Sequence, residues 1–191
     1  PEQAVARFKN HPHVEYIEPN FEVGVVNTPN DPRFPEMYAL QNIGQTGGTA
    51  GADIKAAQAW DLFTGDPKLM VGIIDTGIDY THPDLAANVW TNPEEVPGNG
   101  IDDDGNGYVD DVHGYDFANN DGDPFDDNGH GTHVSGTIAA VGDNGVGVVG
   151  VNWSAKVVGI KFLRASGFGF IADALAGLQY AIAVGARLTS N

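Results

Sequence analysis

Two short apolar runs, LMVGIID (69–75) and AKVVGIKFL (155–163), constrain the fold of this chain most. Neither alternates strictly between apolar and polar residues, as a strand with one wet face would. Runs of this length, rich in Val and Ile, read as strands buried on both faces of a parallel sheet. Parallel strands need long crossovers, and helical patterns lie where crossovers belong. GTHVSGTIAAV (131–141) and GFIADALAGLQYAIAVGA (169–186) have helical spacing, after which RLTS begins a further strand. ADIKAAQAWDLF (52–63) reads as an earlier helix, with Asp53 as its N-cap and Gly65 after its end. Strand, helix, strand, helix, strand is the order of an α/β fold with a mostly parallel sheet.

The charge is as unevenly placed as the apolar residues. Sixteen of the 26 acids and none of the 9 Lys and Arg fall between residues 69 and 155, so that interval carries nearly all of the net charge of -17. An acidic tract of this kind excludes a nucleic-acid footprint, which is basic, and favours a bound cation or a solvated loop. The apolar runs are far shorter than the roughly 18 residues a membrane span needs, so no membrane partner is expected. With no cysteine, neither disulfides nor thiolate metal sites are available.

In an open parallel sheet the working residues gather at the carboxyl ends of the strands. Asp75 closes the run in VGIIDTGIDYTHPDL, and His130 opens the helix in NGHGTHVSGT. A carboxylate in such a place can hold an imidazole in one tautomer and stabilise its protonated form, as a general base for a serine requires. These two stretches resemble, nearly residue for residue, the Asp and His motifs of the subtilisin-like serine proteases, or subtilases. The resemblance continues through GVVGV and KVVGIKFL to the end of the chain. It implies a three-layer fold of which the N-terminal part is present, with Asp75 and His130 catalytic and His133 in a structural position one turn on. Asp75 and His130 lie further apart in sequence than the family template of about 32. The acidic stretch 92–116 is expected to be a loop that absorbs the difference. A zincin reading of His130 and His133 lacks its HExxH pattern.

The resemblance also implies a nucleophilic serine in a GTSMA-type motif about 150 residues beyond the histidine. Ser135, Ser154, Ser166 and Ser190 do not sit in that context. The expected function is therefore serine endopeptidase activity on protein or peptide substrates, in a parent protein of which these residues are a fragment inactive by themselves. The alternative is a catalytically inactive calcium-binding or regulatory module with the same fold. Activity of the parent should rise from about pH 5 to 8, as a histidine base titrates.

Calcium is the expected cofactor. NGIDDDGNGYVDDVHG (99–114) sets oxygen ligands at alternate positions in Asp102, Asp104 and Asn106, then offers the carbonyl of Tyr108 and a later acid, Asp110 or Asp111. This resembles the first half of an EF-hand loop but has His113 where that loop ends in Glu. Asp116, Asn119, Asp121 and Asp123 match the spacing of a calcium site in thermitase-like subtilases. A third site, assembled as the family's strong calcium site is, would take side chains from Asp31, Asp84 and Asn144 and carbonyls from Val141, Val146 and Val148. Hard oxygen ligands suit calcium better than zinc or copper.

Residues 1–26 resemble the C-terminal tail of an inhibitory subtilase propeptide, leaving 27–191 as the N-terminal part of the peptidase domain. VEYIEPNFEV (14–23) reads as strand, turn and strand after a helix ending in AVARFKN. The protein's own propeptide is then an expected partner, and a secreted or extracytoplasmic location the expected one.

Overall fold

The two apolar runs form the centre of the sheet. The computed structural model of the protein describes residues 2–9, 11–17 and 27–191. Its elements are α1 (Glu2–Phe8), α2 (Ala56–Trp60), β1 (Met70–Asp75), β2 (Gly114–Asp116), α3 (His130–Ala139), β3 (Lys156–Lys161), α4 (Ile171–Ala183) and β4 (Leu188–Ser190). The strands lie in the order β2-β3-β1-β4. All pairings are parallel, and the register sets Asp75 beside Lys161 at the carboxyl ends of β1 and β3.

Every residue of β1 is buried. Successive side chains point to opposite faces, so Val71 and Ile73 pack with Val157, Leu85 and Ala139 on the α3 side. Met70 and Ile74 pack with Val158, Ile160, Tyr180 and Ala181 on the α4 side. The result is a three-layer α/β fold, helix against sheet against helix. Ile73, Val157, Val158 and Ile160 are wholly buried, and each contributes about 1.5–3 kcal/mol through the apolar surface it removes from water. A separate cluster of Phe34, Leu40, Ala56, Ala57, Trp60 and Val149 fastens the segment before β1 to the rest.

Three sequence expectations need correction or restriction. The helix expected over 52–63 shrinks to Ala56–Trp60, because Lys55 takes a left-handed backbone with φ of 60° immediately before it. Asp53 does not cap that helix; its carboxylate accepts the backbone N–H groups of Asn42 and Lys55. The stretch 92–116 is not loop throughout, since Gly114–Asp116 forms β2, an edge strand on β3. Gly114 has φ of 124°, and a Cβ there would lie 1.8 Å from the Gly159 carbonyl oxygen, so only glycine lets β2 approach β3. In the expected hairpin at 14–23, residues 14–17 form no strand and the remainder lies outside the described residues. Among the described residues no helix is long and apolar enough to cross a membrane.

Candidate active site and metal sites

Asp75 and His130, 55 residues apart, meet where β1 ends and α3 begins. His130 Nδ1 lies 2.7 Å from Asp75 Oδ1 and 2.8 Å from Oδ2. The carboxylate is buried, whereas the imidazole is 65% exposed. Asp75 Oδ1 also accepts the Thr76 N–H at 2.7 Å, and the Asp75 carbonyl accepts the N–H groups of Phe162 and Leu163. His130 Nε2 has no hydrogen-bond partner among the described residues. The hydrogen bond to Asp75, and then its charge, raise the His130 pKa above the ordinary 6.5; the Asp126 carboxylate adds to the effect. This arrangement leaves Nε2 available to exchange a proton with a group in solvent.

The helix that carries His130 starts abruptly. Its N-cap is Gly129, with φ of 104°. Gly131 N–H donates to the Thr76 hydroxyl at 2.9 Å, and a Cβ on Gly131 would meet the Gly77 carbonyl oxygen at 2.1 Å. Backbone against backbone cannot yield as a side chain can. Gly131→Ala is therefore expected to cost about 1–3 kcal/mol, as overpacking does, and to separate α3 from β1. A denaturant midpoint unchanged in this variant would contradict the close approach.

His133 does not join His130. It lines a groove of about 840 Å³ with Met37, Tyr38, Gly136 and Thr137, and His130 is not among the walls. Among the described residues the cluster able to hold a metal is made by Glu95, Asp104 and Asp111, with one carboxylate oxygen from each within 4.8 Å of the others. Glu95 is absent from the sequence expectation. Its Oε1 accepts the Asp103 N–H, while its Oε2 is buried with no partner. Asn92 and Asn106 donate side-chain N–H groups to both Asp104 and Asp111. Asp111 further accepts the Tyr180 hydroxyl at 2.7 Å, and burial pushes its carboxyl upward. Burial also acts to raise Asp104, but the hydrogen bonds from Asn92 and Asn106 outweigh it and its pKa is lowered.

The other expected ligands of this loop are placed differently. Asp102 accepts the N–H groups of Asn106 and Gly107 and is not part of the three-carboxylate cluster. Asp110 turns away to Asn99 and Gly100, which leaves Asp111 as the inward acid. The Tyr108 ring packs on Tyr115 and Tyr180, and its N–H donates to Asn106 Oδ1 within the loop.

Asp116, Asn119, Asp121 and Asp123 do not bring three carboxylates together. Asp116 is buried at the end of β2 and accepts hydrogen bonds from Ala118 and Asn119. Asp121 accepts the Asp123 N–H, and Asp123 accepts the Tyr80 hydroxyl. The third set shares contacts around one loop. Asp84 accepts the Asn144 amide and the Val148 N–H, and its carbonyl accepts the Val141 N–H. Asn144 accepts the Val146 N–H. Asp31 accepts the Asp143 N–H through Oδ2, and its Oδ1 is buried with no partner. The loop 141–148 thus wraps two buried carboxylates.

The fold and the Asp–His pair where β1 ends and α3 begins define a class, and comparison with known proteins agrees. The subtilase family model, Peptidase S8, matches residues 66–191, and the chain belongs to that family. It is 33% identical over 188 residues to the thermophilic serine proteinase of Bacillus sp. strain AK1, covering 98% of this chain and 39% of that protein. It is 51% identical over 120 residues to subtilisin-like protease 1 of Plasmodium vivax, covering 62% of this chain and 19% of that one. Among solved structures, the Aeromonas sobria serine protease in complex with its chaperone superposes with a TM-score of 0.67 at 26% identity. That match covers 91% of this chain and 28% of the protease. The chain spans about a fifth to two-fifths of the length of these proteins.

Proposed function

We propose that the chain supplies the aspartate and histidine of a serine endopeptidase that hydrolyses proteins or peptides, with the nucleophilic serine further along the same polypeptide. The observation that carries this reading is the Nδ1 contact of His130 with both Asp75 oxygens at 2.7 and 2.8 Å, with Nε2 left free. Asp75 fixes the proton on Nδ1 and stabilises the imidazolium. His130 Nε2 then takes the serine proton during attack and returns it to the leaving amine. Residues 1–26 act as the tail of an inhibitory propeptide, 27–191 as part of the peptidase domain, and the parent works outside the cytoplasm.

Calcium is the cofactor of the same proposal. Two orphaned buried carboxylate oxygens, on Glu95 and Asp31, support it, since burying an acceptor without a donor is costly unless a cation serves it. Glu95, Asp104 and Asp111 would hold one ion. Asp31, Asp84, Asn144 and the carbonyls of Val141, Val146 and Val148 would hold another. The ions act on the structure and take no part in the chemical step. The thermitase-like set at 116–123 keeps weaker support, because its side chains already serve their own backbone.

The test is the pH profile of kcat/KM for the complete reading frame, together with its sensitivity to serine-directed covalent inhibitors. The base must be neutral to act, and the raised His130 pKa keeps it protonated to higher pH, so half-maximal kcat/KM is expected above pH 6.5. The same proton makes the ion pair contribute fully to stability below about pH 6.5, and that contribution fades as pH rises through the folded value. A flat profile, or activity indifferent to the inhibitor, would reject the triad. Calcium binding without turnover would select the inactive-module alternative.

A further inference from the structure

A second carboxylate stands behind the pair. Asp126 is buried, and it accepts five hydrogen bonds. Its Oδ1 accepts the Thr76 hydroxyl at 2.8 Å and the N–H groups of Asn128 and Gly129 at 3.0 and 2.9 Å. Its Oδ2 accepts both the N–H and the hydroxyl of Thr132, at 2.9 and 2.6 Å. Thr76 is the residue after Asp75, and Gly129 and Thr132 flank His130. One side chain therefore ties the turn that follows β1 to the first turn of α3, the two places that carry the pair.

Thr76 transmits the constraint. Its N–H donates to Asp75 Oδ1, its hydroxyl also accepts the Gly131 N–H, and its carbonyl accepts Lys161 Nζ at 2.7 Å. A simple helix cap would serve the N–H groups of its own helix and stop there. Asp126 instead reaches a strand end 50 residues away. Burial acts to raise its carboxyl, but the hydrogen bonds from Gly129, Thr132 and Asn128 outweigh this and hold its pKa at about 2. The carboxylate is therefore an anion wherever the enzyme would work.

We propose that Asp126 is a positioning residue for the Asp75–His130 pair, holding β1 and α3 at the separation that puts Nδ1 on the carboxylate. The inference rests on the protease reading above. The other charged groups around the pair are Asp79 after β1, Asp127 before α3 and Lys161 on β3, and Asp127 and Lys161 neutralise each other at 2.7 Å. Beside Asp75, Asp126 is the charge that favours the His130 imidazolium.

The test uses the complete polypeptide with Asp126→Asn, which turns one oxygen into an amide unable to accept from Thr132. A misplacement of about 1 Å costs up to about 100-fold in rate, so kcat is expected to fall about 10- to 100-fold. KM should stay within about twofold, and the acid limb of kcat/KM should move to lower pH as His130 loses a neighbouring anion. A lower melting temperature with kcat and the acid limb unchanged would show a merely structural role and overturn the proposal. Thr76→Val, which removes the strut to Asp126 and the acceptor of the Gly131 N–H while keeping the Asp126 charge, carries the kcat test if Asp126→Asn does not fold. If the unsubstituted polypeptide has no turnover, the protease reading fails instead. The positioning claim is then read from the His130 Nδ1 proton resonance, which must weaken in either variant; an unchanged resonance would overturn it.

Discussion

Asp75→Asn is expected to lower kcat of the complete polypeptide by about 10⁴-fold, the size of this substitution in Ser–His–Asp proteases, while the protein stays folded. The reason lies in which atom carries the proton. With Asp75 ionised, Nδ1 donates to it and Nε2 is the acceptor that a serine hydroxyl needs. An asparagine of the same shape presents its amide to Nδ1 with equal ease. The imidazole then takes the other tautomer, with its proton on Nε2 and nothing to receive the one from serine. Asp75 also has a structural partner in the Thr76 N–H at 2.7 Å, and the asparagine oxygen can keep that bond. The loss should appear in kcat with KM little changed. A decrease of less than tenfold in a folded variant would mean that Asp75 merely props the helix.

How far the sequence reached depended on whether a residue's role was local. The sheet centre was legible because 70–75 and 156–161 are apolar over the length of a strand, and α3 and α4 because their spacing is helical. Asp75 and His130 were legible through the motifs around them. α2 was overestimated because a left-handed Lys55 has no compositional mark. β2 escaped because three residues, Gly-Tyr-Asp, have no period to detect, and pairing with β3 alone makes them a strand.

The acidic tract shows the same division more sharply. From spacing, Asp116, Asn119, Asp121 and Asp123 matched a calcium site, in an acidic run that also holds Asp126 and Asp127. In the fold, most of these carboxylates accept N–H or O–H donors, and Asp126 becomes the best satisfied of them. Glu95 was missed for the opposite reason. It lies outside the alternating ligand pattern and joins Asp104 and Asp111 through a turn that spacing does not encode. The signal on offer was the pair Glu94-Glu95 just before the Gly-rich loop.

Calcium should therefore stabilise the protein through two separable sites, and Glu95→Gln should abolish one share without touching the other. At a free concentration 100 times its dissociation constant, an ion bound only to the folded state contributes about 2.7 kcal/mol. For a domain of this size each kcal/mol moves the melting temperature by about 2–4 °C, so one site is worth about 5–10 °C. Chelation should lower the melting temperature by both shares, and it should expose 92–116 to cleavage, because Asp104 and Asp111 would repel with only asparagine donors between them. Glu95→Gln removes the anionic oxygen that has no other partner. Asp31→Asn does the same on the far side of the fold. With no shared residues the two losses should add. Melting curves with calcium and with chelator, for each variant and for both together, decide the matter. Should Glu95→Gln retain the whole calcium-dependent shift, the acidic loop is held by its own asparagines, and any ion the protein binds sits with Asp31 and Asp84.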